Sequence, residues 1–100
     1  IARINLLAAK SMVSDEVFNV ASGRETSLNE LARLLAGVMG STLAPDYAPA
    51  RKVNPVTRRL ASTDKTKALL GFRAGIALED GLRDLVSWWR HERSLGGQAA

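Results

Sequence analysis

The sequence predicts a small domain of mixed α/β (α+β) class, rich in helix and carrying a few short strands. Three segments support that reading. Ser27 to Gly40 is an amphipathic run bounded at both ends, Val17 to Val20 is β-branched and aromatic, and apolar residues recur at helical spacing from Leu78 onward. With 100 residues the chain makes at most one domain, and a domain of that size buries only about 60–68% of its unfolded surface. Residues 1–93 are expected to form that domain and 94–100 a frayed tail.

The elements follow in order. Ile1, Ile4, Leu7 and Ala8 share one helical face, so residues 1 to about 11 read as an amphipathic helix that Ser14 and Asp15 break. The pattern is already under way at Ile1, with no Met and no cap before it, which predicts a fragment rather than a natural start. Val17-Phe18-Asn19-Val20, closed by Gly23, reads as a buried strand. Asn19 within it either satisfies neighbouring backbone or walls a site.

Ser27 and Glu30 then make a capping box, in which the hydroxyl accepts the N3 amide and the carboxylate reaches back to the N-cap amide. Behind it Leu28, Leu31, Leu34, Leu35, Val38 and Met39 mark the inner face of a helix that Gly40 ends. Residues 41–50, with Pro45 and Pro49, suit a short edge strand running into a turn. Residues 51–60 contain Pro55 and are read as extended or looped, because the residue before a proline avoids helix.

Ser62 is placed to cap a two-turn helix through Leu70, which Gly71 stops. The last helix begins near Leu78 and carries Leu82, Leu85, Val86 and Trp89 on one face. Glu79 and Asp80 in its first turn, and Arg90, His91 and Arg93 near its end, match the helix dipole. The Leu and Trp positions of the helices are expected to be core.

Charge and composition narrow the function classes. The net charge of +4 has a local origin. No acidic residue lies between Asp46 and Asp64, whereas Arg51, Lys52, Arg58 and Arg59 all do, and the other ten basic residues are matched by ten acidic ones. One basic cluster suits a small anion better than a long phosphate backbone, and its bland alternative is a solvated loop. No apolar run approaches the roughly 20 residues a bilayer span needs, so no membrane partner is expected. The chain has no cysteine, which excludes disulfides and is compatible with a reducing, cytoplasmic location.

Catalytic patterns are absent. The only histidine, His91, sits at a helix end beside Glu92 and Arg93, where the dipole accounts for it. One histidine without cysteine offers no metal cluster. Ala21-Ser22-Gly23-Arg24 has a single glycine, where the dinucleotide fingerprint needs three. Trp88 and Trp89 point about 100° apart on a helix, so one is expected in the core and the other at an edge. No catalytic, cofactor or metal residue is assigned.

The order of segments does carry a likeness. Val17-Phe18-Asn19-Val20-Ala21-Ser22-Gly23, with Ser27 and Glu30-Leu31 following, resembles the F-N-V-G-S-G-x-x-x-S/T-x-x-E-L pattern of the extended short-chain dehydrogenase/reductases. That group is the NAD-dependent epimerase/dehydratase family. Arg58 to Phe72 resembles the family's R-x-x-A-D-x-S-K-A-x-x-x-L-G-F/W, and Leu78 to Trp89 its closing L-x-E-G-L-x-x-x-V-x-W-Y/W helix. The likeness covers residues 1 to about 93. It departs at Ala21 for Gly, Ser62 for Asp, and Ala77 for a Ser/Thr cap, the last weakening that helix start by about 1 kcal/mol.

The resemblance implies the C-terminal, substrate-binding portion of such an enzyme, without the Rossmann domain that binds NAD and carries the Tyr-x-x-x-Lys pair. The implied ligand is a nucleotide-diphosphate sugar, held so that its sugar meets the nicotinamide. In the family an Arg before a Gly-Asp pair contacts the diphosphate, and Arg51 is the best match. Val53-Asn54-Pro55 stands in place of Gly-Asp, so Lys52 competes for the role, and Asn54 and Arg58 join the implied substrate-binding set. A guanidinium suits the task because its fixed fork holds two phosphate oxygens. The implied partners are the nucleotide sugar and the enzyme's own Rossmann domain, and helices lacking that domain are expected to self-associate.

Two rival readings come from other classes. Ser27 to Gly37 looks like the first helix of a DNA-binding helix-turn-helix, but a recognition helix must follow within 3–4 residues. Gly40-Ser41-Thr42-Leu43-Ala44-Pro45 leads to extended chain instead. The other is a free-standing protein-interaction module.

Overall fold

A computed structural model describes residues 1–50 and 58–96. The chain divides into two compact units. The first comprises Ile1–Glu25 and the described residues of Arg51–Gly75; the second comprises Thr26–Ala50 and those of Ile76–Ala100.

In the first unit, α1 (Ala2–Lys10) and α3 (Asp64–Leu70) contribute to one small core. Ile4, Leu70 and Phe72 are its buried residues, and Val13, Phe18 and Val20 pack half-buried against them. Of α1 only Ile4 is buried, while Leu6 and Leu7 are exposed. Past α1 the chain turns through Asp15, whose φ of 57° is left-handed, a conformation that Asp tolerates better than most residues. It then runs along 17–20 with Phe18 and Val20 turned inward and Val17 and Asn19 exposed, the alternation of extended backbone.

That alternation does not amount to a strand. The described residues contain four helices and no strand, so the expected mixed α/β class is corrected to helix-only. The physical reason lies in the hydrogen bonds of Asn19. Its carbonyl oxygen accepts the Thr66 hydroxyl at 2.5 Å, and its side-chain Nδ2 donates to the Ser62 carbonyl at 3.3 Å. The main-chain acceptor that a ladder would use is taken by a side chain. The edge strand expected in 41–50 is likewise absent. Pro45 and Pro49 remove two ladder donors, and Leu43 and Tyr47 are exposed.

The α3 helix starts one residue later than the sequence predicted. Thr63 is its N-cap and makes no side-chain cap bond. Ser62 acts from outside, donating to Asp64 Oδ2 (2.9 Å) and accepting from the Asp64 N–H (3.4 Å). Gly71 closes the helix at φ 60°, its N–H donating to the Lys67 carbonyl.

The second unit pairs α2 (Leu28–Met39) with α4 (Leu78–Gly96). Ser27 Oγ accepts the Glu30 N–H at 3.1 Å, and Gly40 ends α2 at φ 67°, as the pattern predicted. Arg90 Nη2 donates to the Met39 carbonyl at 2.9 Å, satisfying one of the acceptors a helix end leaves open. The first turn of α4 closes through backbone, Gly81 N–H to Ala77 carbonyl. This helix continues through Gly96, into the stretch expected to fray.

Only Leu82 and Val86 of α4 are buried; Leu85 is 53% exposed and Trp89 41%. The expectation that all the helical Leu and Trp positions form core is therefore corrected. A helix facing one partner helix buries a narrow seam, not the wide face that a globular core covers. Leu82 and Val86, four residues apart, occupy that seam.

Candidate functional site

The first unit holds a hollow of about 300 Å³, partly open to solvent, with a mostly polar wall. One side is the 19–22 stretch, another is the first turn and a half of α3 with its N-cap, and the third is 72–74. Each side is positioned by local chemistry. Thr66 is 1% exposed and bonds to Asn19, which fixes the 19–22 stretch against α3. Ser22 Oγ donates to the Arg24 carbonyl and accepts the Arg24 N–H, a side-chain-closed turn. Gly71 turns the chain so that Phe72 enters the core while Arg73 reaches the wall. The guanidinium of Arg3 donates to the Arg73 carbonyl and lies 5.0 Å from the Phe72 ring centroid.

The wall's charges are Lys67, Arg73 and Asp64, an excess of one positive charge. Asp64 is engaged by the Ser62 hydroxyl. Asn19 bonds to backbone, as one of its two readings expected, and it also lines the hollow.

Of the residues singled out in the sequence, Arg58 does not line this hollow. Arg51, Lys52 and Asn54 lie outside the described residues. Arg58 is exposed and grips Glu25 with both arms of its fork, Nε to Oε1 at 3.1 Å and Nη2 to Oε2 at 2.5 Å. The hydrogen bond to Glu25 holds the Arg58 guanidinium above its ordinary pKa. A raised pKa contributes stability that is present throughout the neutral range and lost only at pH values above the arginine range. Arg58 therefore adds no pH switch. Lys67 and Arg73 were missed because the segment from Ser62 to Gly71 was read only for its cap and its stop. The available signal was two cations flanking a left-handed glycine, at Lys67 and Arg73 around Gly71.

Among the described residues no group of three or more His, Asp or Glu could hold a metal ion. His91 is exposed on α4. No described helix is long and apolar enough to cross a membrane. The helix-turn-helix reading fails, since residues 41–50 after α2 contain no helix.

No family model matches the chain. Individual proteins do. It is 33% identical over 75 residues to a UDP-glucose 4-epimerase of Mycolicibacterium smegmatis, covering 75% of this chain and 24% of that protein. It is 37% identical over 86 residues to a protein of Oryza sativa subsp. japonica named as a GDP-L-fucose synthase, covering 85% and 24%. A UDP-N-acetyl-alpha-D-glucosaminuronate decarboxylase of Bacillus cytotoxicus is 26% identical over 90 residues. Among solved structures, the Bordetella bronchiseptica enzyme WbmF, in complex with NAD+ and UDP, superposes with a TM-score of 0.77 at 30% identity. That superposition covers 97% of this chain and 29% of WbmF. The chain thus spans about a quarter of the length of the curated relatives it matches.

Proposed function

The chain belongs to the NAD-dependent epimerase/dehydratase family, and we propose that it is the portion holding the nucleotide-diphosphate end of a nucleotide sugar. The observation that carries this reading is the superposition on WbmF, an enzyme solved with UDP, over nearly the whole chain. The nucleotide-sugar names of the other relatives support it.

The role assigned to this chain is positional. The basic segment offers Arg51 and Lys52, with Asn54, to the diphosphate, and two phosphate groups match a guanidinium fork and an ammonium point charge. Arg58, the remaining residue of the expected set, is already paired with Glu25. Fixing the diphosphate limits where the sugar ring can lie, and such positioning lowers a barrier by several kcal/mol, on the order of what oriented reactants gain.

NAD supplies hydride chemistry when bound, but the residues here do not fit it. Ala21-Ser22-Gly23-Arg24 has one glycine of the three a dinucleotide loop needs. The single tyrosine, Tyr47, is followed four residues later by Arg51 where the family carries Lys. The cofactor is therefore assigned to a Rossmann domain of the whole enzyme, the expected partner of this portion.

The test is competition binding of UDP to the protein that carries this chain. Affinity that survives neutralisation of Arg51 and Lys52 together would remove the diphosphate role.

A further inference from the structure

We propose that the hollow beside α3 is an oxyanion site in its own right, taking one phosphate or carboxylate group between Lys67, Arg73 and the Thr63 hydroxyl. This goes beyond the diphosphate reading, which rests on the segment containing Arg51 and Lys52. Neither Lys67 nor Arg73 belongs to that segment.

The first argument is what the other cations are doing. Lys65 pairs with Glu16, Arg58 with Glu25, and Arg83 with Glu79 and Asp80. Arg3, Arg33 and Arg90 donate to main-chain carbonyls. Among the described residues, the side chains of Lys10, Arg59, Lys67 and Arg73 have no such partner, and of these four Lys67 and Arg73 line the hollow. The second argument is the state of the hydroxyls. Those of Thr66, Ser22 and Ser62 are spent on Asn19, Arg24 and Asp64. Thr63 lines the hollow and stands at the N-cap of α3, yet its hydroxyl makes no cap bond. Two charged donors and one neutral donor around a cavity match the three acceptor oxygens of a phosphate.

Size and rigidity agree. A hollow of about 300 Å³ lies at the lower end of the range of roughly 300–1,000 Å³ for small-molecule sites. It admits an oxyanion with a small attached group. Its frame is already fixed, because Thr66 ties Asn19 to α3 and Arg3 holds the Arg73 carbonyl. Little ordering is left for a ligand to impose.

The experiment is a titration of the isotope-labelled 100-residue chain, followed by amide chemical shifts. The probes are inorganic phosphate and acetate, with chloride at matched ionic strength as the baseline. Saturable shifts confined to residues around Asn19, Thr63, Lys67 and Arg73, absent with chloride, are expected. Lys67→Gln and Arg73→Gln should each weaken binding at least about fivefold, about 1 kcal/mol, while Arg33→Gln in the second unit leaves it unchanged. Both Gln variants alter exposed side chains, and unchanged shifts at Ile4 and Val13, in the same unit's core, verify their fold. Tighter binding of phosphate than of acetate assigns the site to a phosphoryl group, and the reverse to a carboxylate. Shifts that chloride reproduces, that do not saturate, or that persist in both Gln variants overturn the proposal.

Discussion

Thr66 and Asn19 lie 47 residues apart in the sequence and meet through one bond, the Thr66 hydroxyl donating to the Asn19 carbonyl oxygen at 2.5 Å. Thr66 is 1% exposed. Thr66→Val keeps the shape and removes the hydroxyl, leaving a carbonyl without its partner. A loss of about 0.5–1.5 kcal/mol is expected, the usual net worth of one hydrogen bond, because the Asn19 end of this one is only part-buried. Thr66→Ser should retain more of the stability than Val does. Urea unfolding of the two variants decides it, and a Val variant within about 0.5 kcal/mol of the parent would mean the bond is dispensable.

The α2 helix is held at both ends, and each end can be tested alone. Ser27→Ala removes the acceptor of the Glu30 N–H and should cost about 1 kcal/mol. Gly40→Ala places a Cβ on a residue at φ 67°, with an expected loss of about 1–2 kcal/mol from left-handed strain. Nothing lies within 4 Å of the added Cβ, so that loss comes from the backbone angle and not from a clash. Thermal unfolding followed by circular dichroism measures both.

The two candidates for the diphosphate contact differ by a single position. Arg51→Ala in the whole enzyme should weaken nucleoside-diphosphate binding by about 1.5–3 kcal/mol, the size of a charge-assisted bond, and leave NAD affinity alone. Lys52→Ala is the paired measurement, and the larger loss identifies the contact. Competition binding at two salt concentrations separates a local bond from net charge. Changes below about 0.5 kcal/mol for both would make the segment a solvated loop.

Leu85, Trp88 and Trp89 stand at i, i+3 and i+4 on α4 and are 53%, 59% and 41% exposed. Such a patch favours association. The chain is expected to self-associate at micromolar concentration, and Trp88→Lys should shift it toward monomer. Sedimentation velocity over a concentration series would show this, and a concentration-independent monomer would count against it.

Calorimetric titration of the chain with NAD should give no binding heat, because the dinucleotide loop and the Tyr-x-x-x-Lys pair are absent from the sequence. A micromolar dissociation constant would refute the assignment of the cofactor to another domain.

What the sequence determined by itself was local. The bounds of α2 follow from Ser27, Glu30 and Gly40, the stop of α3 from Gly71, and the start of α4 from its acidic first turn. Each depends on groups within about one helical turn of one another, so a linear pattern contains the whole interaction. The family, too, was legible, because its three patterns run in series along one strand of text.

Tertiary structure decided everything that needed a distant partner. Val17 to Val20 has the composition of a strand, yet whether it pairs depends on what meets Asn19, and what meets it is Thr66. Leu85 and Trp89 share the spacing of Leu82 and Val86, yet the width of the seam with α2 left them exposed. Lys67 and Arg73 became neighbours of one hollow because Gly71 turns the chain between them and Phe72 enters the core. Burial and pairing are properties of two surfaces at once, and periodicity along one segment describes only one of them.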